Sequence, residues 1–162
     1  MIVVDTSAFV SLSIGEVLDI VLAEYDVRTT DRVAEELRGT ARYDDIHGRA
    51  ASEALDSVDS FSLHEIDAPD IETSRIDSGE AGCVALARRL DADFLITDDL
   101  RALPELQALT DAQVAISPIL LRALVTREVL TTGAARSCLD QIAESRDWFG
   151  APIYRRAQRL FE

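Results

Sequence analysis

A chain of 162 residues, 48% of them hydrophobic, is long enough to bury one sizeable core and predicts a single domain over residues 1–162. Thirty Asp and Glu face sixteen basic residues, all of them Arg, for a net charge of -14, and the regular supply of aliphatic residues excludes a disordered acidic chain. No apolar run reaches the roughly 18 residues of a membrane span, and the amino terminus lacks a basic stretch followed by an apolar signal segment, which predicts a soluble, cytoplasmic protein.

The opening Ile2, Val3 and Val4 predict a strand buried on both faces and ending at Asp5. Ser13 and Glu16 stand at capping-box spacing and predict a first helix from about residue 14. Residues 27–30 suit a second strand, and Asp31 opens a short helix through Val33 and Leu37 that stops at Gly39. Residues 42–58 are polar with Ala and Leu at helical intervals, which predicts one or two exposed helices. Phe61, Leu63 and Ile66 suggest a strand, Ser78 caps a helix over 79–90, and residues 94–97 form another buried strand running into Asp98 and Asp99.

Beyond it come a helix over 103–109, a strand over 114–116, and helices after Pro118, Gly133 and Pro152. This alternation predicts a three-layer α/β/α domain around a mainly parallel, twisted sheet of four to five strands, with a core over about 1–120 and a helical tail over 118–162. Ligands of such sheets bind at the carboxyl ends of the strands, where both Asp5 and the Asp98–Asp99 pair fall. Cys83 and Cys138 lie in predicted helices without metal or disulfide spacing and read as small apolar residues.

Four acidic stations emerge: Asp5, Glu36, Glu80, and Asp98 with Asp99. Each has a bland reading, since Glu80 suits the first turn of a helix, Glu35 and Glu36 a solvated face, and Asp98–Asp99 a helix cap. Gathered in one crevice, however, carboxylates raise one another's pKa unless a cation neutralises them. Oxygen ligands without His or Cys favour a hard ion, Mg²⁺ or Mn²⁺, which keeps waters and meets substrates through phosphate oxygens. His47 and His64 lie outside the stations. Thr6, Ser7 and Thr97 are placed to orient carboxylates, and Arg38, Arg42 and Arg101 are candidates to grip substrate phosphates.

Four segments resemble motifs of the PIN-domain family, which includes the VapC-like ribonucleases. They are Ile2 to Phe9 around Asp5-Thr6-Ser7, Val33 to Leu37 around Glu36 with Glu35 close behind, Ser78-Gly79-Glu80 opening an Ala-rich helix, and Phe94 to Asp99. The third acid is Glu where many relatives carry Asp, and the chain exceeds the compact toxin members in length. The resemblance implies a metal-dependent endoribonuclease that cleaves single-stranded RNA. Asp5, Glu80, Asp99 and Asp98 would bind the metal and Glu36 would assist. It leaves open a toxin role in a type II pair, with a small antitoxin protein as partner.

The missing Lys and the Ala, Arg and Asp bias also resemble proteins of extremely halophilic archaea, in which dense carboxylate keeps the surface hydrated; the charge therefore does not exclude a nucleic-acid substrate. Apolar residues at helical spacing in 42–58 and 133–162 mark candidate partner or homodimer surfaces. A haloacid-dehalogenase-type transferase fails because Ser7 replaces the second Asp it needs, and a receiver domain fails for want of a Lys. A PIN-like module that binds RNA or protein without cutting, and a structure-specific DNA nuclease, remain as alternatives.

Overall fold

The computed structural model of the chain describes residues 1–67, 71 and 75–162. Strand β1 (Ile2–Val4) is buried along its length and leads into helices α1 (Thr6–Ile14) and α2 (Leu18–Glu24). Strand β2 (Val27–Thr30), helices α3 (Asp31–Thr40) and α4 (Ile46–Asp56), and strand β3 (Ser62–His64) follow. Helix α5 (Ser78–Leu90), strand β4 (Phe94–Ile96), helix α6 (Leu103–Leu109) and strand β5 (Gln113–Ala115) complete the alternation. Helices α7 (Pro118–Thr126), α8 (Thr132–Ser145) and α9 (Pro152–Arg159) form the tail.

Among the described residues the strands form one parallel sheet in the order β3-β2-β1-β4-β5, covered by helices in a three-layer α/β/α arrangement. The order reverses direction between β1 and β4. In an open parallel sheet the two connections leaving such a pair diverge to opposite sides, and a crevice opens at the strands' carboxyl ends. Register places Val4 beside Ile96, so Asp5 emerges next to Thr97. A backbone hydrogen bond from the Asp5 N–H to the Ile96 carbonyl, 3.1 Å, fixes that neighbourhood.

The structure moves the first helix. Helix α1 begins directly after Asp5, which caps it, and Ser13 lies inside it as a buried residue. From Ala8 to Ile14 every residue of α1 is buried, so the helix has no polar face and leaves no 3.6-residue period to read. Glu16, at φ 55°, turns the chain between α1 and α2. Together these two helices are apolar, but they meet at 115°, and among the described residues no single helix is long and apolar enough to cross a membrane.

Helix α4 is also less exposed than its sequence suggests. It buries Ala50, Ala51 and Ala54, and packs on α1 and α3, because small side chains let helices approach closely. The tail is no appendage either: Ala135, Leu139, Ile142, Trp148, Ile153 and Ala157 belong to the same buried cluster as Phe9, Leu12 and Leu121. Burying side chains the size of Phe9 or Leu12 contributes about 1.5–3 kcal/mol each. Both candidate partner surfaces thus spend much of their apolar area inside the molecule.

Candidate active site

At the switch point lies an open cleft of about 180 Å³, lined by Asp5, Thr6, Ser7, Val33, Glu36, Asp77, Gly79, Glu80 and Asp99. Five carboxylates from four separate stretches of chain meet there, and among the described residues no basic side chain lines the cleft.

Asp5 is 7% exposed and held by three donors. The Ser7 hydroxyl and the Ala8 N–H donate to Oδ1 at 2.8 and 3.0 Å, and the Thr97 hydroxyl donates to Oδ2 at 2.6 Å. Each hydroxyl is itself positioned: Ser7 Oγ accepts from the Asp98 N–H at 2.9 Å, and Thr97 Oγ1 accepts from the Asp99 N–H at 3.2 Å. Burial nevertheless dominates and pushes the Asp5 carboxyl up to about 7, against the lowering effect of its donors and with a further push from Asp98.

Glu80 sits in the first turn of α5, 8% exposed. Its Oε2 accepts from the Asp77 N–H at 2.9 Å while Asp77 Oδ1 accepts from the Glu80 N–H at 2.8 Å, a reciprocal capping box. The cap of α5 is therefore Asp77, one residue before the Ser78 expected from sequence. Burial chiefly, then the charges of Asp77 and Asp99 and a side-chain hydrogen bond with Asp99, raise the Glu80 carboxyl above its ordinary range. Asp99 is half-exposed, its Oδ1 accepting from the Arg101 N–H at 3.0 Å.

Glu36 reaches the cleft from α3, where the Thr6 hydroxyl donates to its Oε2 and Arg32 approaches Oε1 at 3.6 Å. Gly79 makes this approach possible, since a Cβ at that position would stand 2.5 Å from Glu36 Oε1. Glu35 points elsewhere and pairs with Arg32 at the surface.

Asp98, expected to be a metal ligand, does not join the cleft. Its Oδ1 accepts from the Ser117 N–H at 2.7 Å and its Oδ2 from the Ser117 hydroxyl at 2.8 Å, which ties the end of β4 to the start of α7. The bonds to Ser117 turn Asp98 away from the crevice that Asp99 lines. Asp77 takes the vacant place. Its signal, an Asp three residues before Glu80, was hidden by the equally plausible cap at Ser78.

Of the candidate phosphate contacts, Arg101 is 97% exposed and stands 4.0 Å from Asp99, while Arg38 and Arg42 are exposed and line no part of the cleft. Cys83, fully buried, has its thiol pushed up chiefly by desolvation and then by Asp5, Glu36, Asp77 and Glu80, so it stays neutral beneath the carboxylates. His64 lies apart, between Arg28 and Arg89, its imidazole pushed down by burial and by both cations.

The donor set suits a hard divalent cation: it is all oxygen, and its two buried carboxylates, Asp5 and Glu80, are both pushed up and have no ion-pair partner among the described residues. Among the described residues no three His, Cys, Asp or Glu side chains close into a ready-made cage. An ion of the Mg²⁺ kind binds through one or two carboxylates and keeps several waters.

No curated protein matches the chain. A family model described as a PIN domain matches residues 1–162, including the tail. PIN domains are generally nucleases that use divalent metal ions. A match over the whole length, on a parallel sheet whose switch point gathers Asp5, Glu36, Glu80 and Asp99, establishes that the chain belongs to the PIN-domain family.

Proposed function

We propose that this protein is an endoribonuclease that hydrolyses single-stranded RNA with Mg²⁺ or Mn²⁺. The observation that carries the reading is the convergence of Asp5, Glu80 and Asp99 in one cleft, where Asp5 and Glu80 are buried and have no ion-pair partner among the described residues. Those three residues would hold the ion, with Glu36 and Asp77 bordering it. When bound, the ion supplies a water of lowered pKa and neutralises charge on the phosphate under attack.

The chain's own residues do the remaining work. Ser7 and Thr97 hold the Asp5 carboxylate in one orientation, and the Asp77 N–H does the same for Glu80. Thr6 fixes Glu36 at the cleft edge, from which its carboxylate can take up the proton released by an attacking water. No Ser, Cys or His side chain is required as a nucleophile, which agrees with the neutral, buried Cys83 thiol. The acidic composition and the absence of Lys support a high-salt cytoplasm as the setting, and a toxin role would add a small antitoxin as partner.

A second reading has its own support, because Asp5 and the Asp77–Glu80 pair also cap α1 and α5 and would be retained in a module that binds without cutting. Cleavage of a mixed RNA and a matched DNA substrate with Mn²⁺ in high salt separates these. Wild type should cleave RNA and lose cleavage with EDTA, and Asp5→Asn should be inert while keeping its fold. Metal-independent cleavage, or equal cleavage by Asp5→Asn, would sink the nuclease reading; cleavage of DNA alone would replace the substrate.

A further inference from the structure

Arginine is scarce relative to acid in this chain, so three arginines on one stripe of one short helix are a concentration of charge. Helix α9 presents Pro152, Arg155, Arg156 and Arg159 at the spacing of a single face and contains no Asp or Glu. Its other face buries Ile153 and Ala157 in the core, which fixes the stripe's orientation. All three arginines are exposed, and among the described residues no carboxylate lies within ion-pair distance of any of them; Arg155 Nη1 only donates to the Gly150 carbonyl at 3.3 Å. Together with Leu100 they line a groove of about 430 Å³. Leu100 is the residue after Asp99, which lines the acidic cleft, so the groove and the cleft meet the chain one residue apart.

We propose that this groove is the binding track for the phosphate backbone of a single-stranded nucleic acid, leading it past Leu100 to the carboxylate cleft. The choice of a polynucleotide rests on the nuclease reading; the choice of a polyanion rests on the arginines themselves. A chain of net charge -14 repels a polyanion nearly everywhere, and guanidinium forks match phosphate oxygens in pairs. Leu100 adds apolar surface to the groove that does not compete with the arginines for the phosphates.

The test measures binding of fluorescein-labelled single-stranded RNA and DNA oligonucleotides in EDTA, where cleavage is silent, from about 0.2 to about 2 M KCl. Replacing Arg155, Arg156 and Arg159 together by Gln should weaken binding at least about tenfold and reduce the slope of log affinity against log salt by about 2, the release expected for three contacts on a single strand. Each single Arg→Gln variant should move in the same direction, which keeps the test alive if the triple variant loses its fold. A control with Arg49, Arg88 and Arg122 changed to Gln alters net charge equally and should bind as wild type.

Unchanged binding by the triple variant, or equal loss in the control, overturns the proposal, as does binding of polyglutamate in place of either oligonucleotide. Cleavage by the unmodified chain with Mn²⁺ is scored separately. Arginine-dependent binding without cleavage supports the groove and removes the nuclease reading, whereas cleavage with arginine-independent binding removes the groove alone.

Discussion

The Thr97 hydroxyl donates to the Asp5 carboxylate at 2.6 Å, bridging residues 92 apart in sequence across the gap between β1 and β4. The same oxygen accepts the Asp99 N–H, so one hydroxyl sets the positions of two of the proposed metal ligands.

Thr97→Val keeps the shape and removes that hydroxyl. Removing such an orienting partner typically costs 10–100-fold in metal affinity or activity, and RNA cleavage should fall by about that factor. Thr97→Ser should recover most of it. Equal rates for the Val and Ser variants across a Mn²⁺ titration would show that the bridge has no part in positioning Asp5.

Asp5 gives a pH dependence with a definite sign. Its carboxyl titrates at about 7 in the fold against 3.8 in the unfolded chain. Between those values the folded state holds a proton that the unfolded state has lost, so metal-free stability from this group is fullest below about pH 4 and falls as pH rises toward 7. Denaturant titrations in EDTA should show wild type losing about 2–3 kcal/mol relative to Asp5→Asn between about pH 5 and about pH 8. Parallel pH profiles for the two proteins would contradict this.

Gly79→Ala tests the approach of Glu36 to the start of α5. The added methyl group meets the tip of a flexible side chain, so the helix should survive with a stability change below about 1 kcal/mol, while Glu36 is displaced and cleavage falls several-fold. A thermal melt and a rate measured on one preparation decide it. A large loss of stability with an unchanged rate would mean that Glu36 has no role in the cleft.

Asp98→Ala separates structure from chemistry. It leaves the buried Ser117 N–H and hydroxyl without their acceptor, which should cost about 1–3 kcal/mol. Residual activity of the folded fraction should stay within several-fold of wild type. Abolished cleavage at full stability would return Asp98 to the list of ligands.

Divalent cation should stabilise the wild-type fold, by about 2.7 kcal/mol at a concentration a hundredfold above its dissociation constant. Calorimetry with and without Mn²⁺ reads this directly. Asp5→Asn should lose most of the shift, and an equal shift in that variant would place the ion elsewhere.

By itself the sequence determined the central strands, because short β-branched runs such as Ile2-Val3-Val4 are favoured where both faces are buried, and several helix starts, because Asp31, Pro118 and Pro152 act through local backbone geometry. It also singled out the strand-end acids, Asp5 and Asp99, since the end of a buried parallel strand is the one place where an ionised group can reach a crevice. Tertiary structure decided the rest. Helix α1, buried on every side, has no amphipathic period to betray where it begins. The neighbouring Asp98 and Asp99 differ in no local feature, and only the position of Ser117, brought alongside by β5, draws one carboxylate away and leaves the other in the cleft. Asp77 is held locally by its capping box with Glu80, but it meets Asp5, Glu36 and Asp99 only once the sheet has formed.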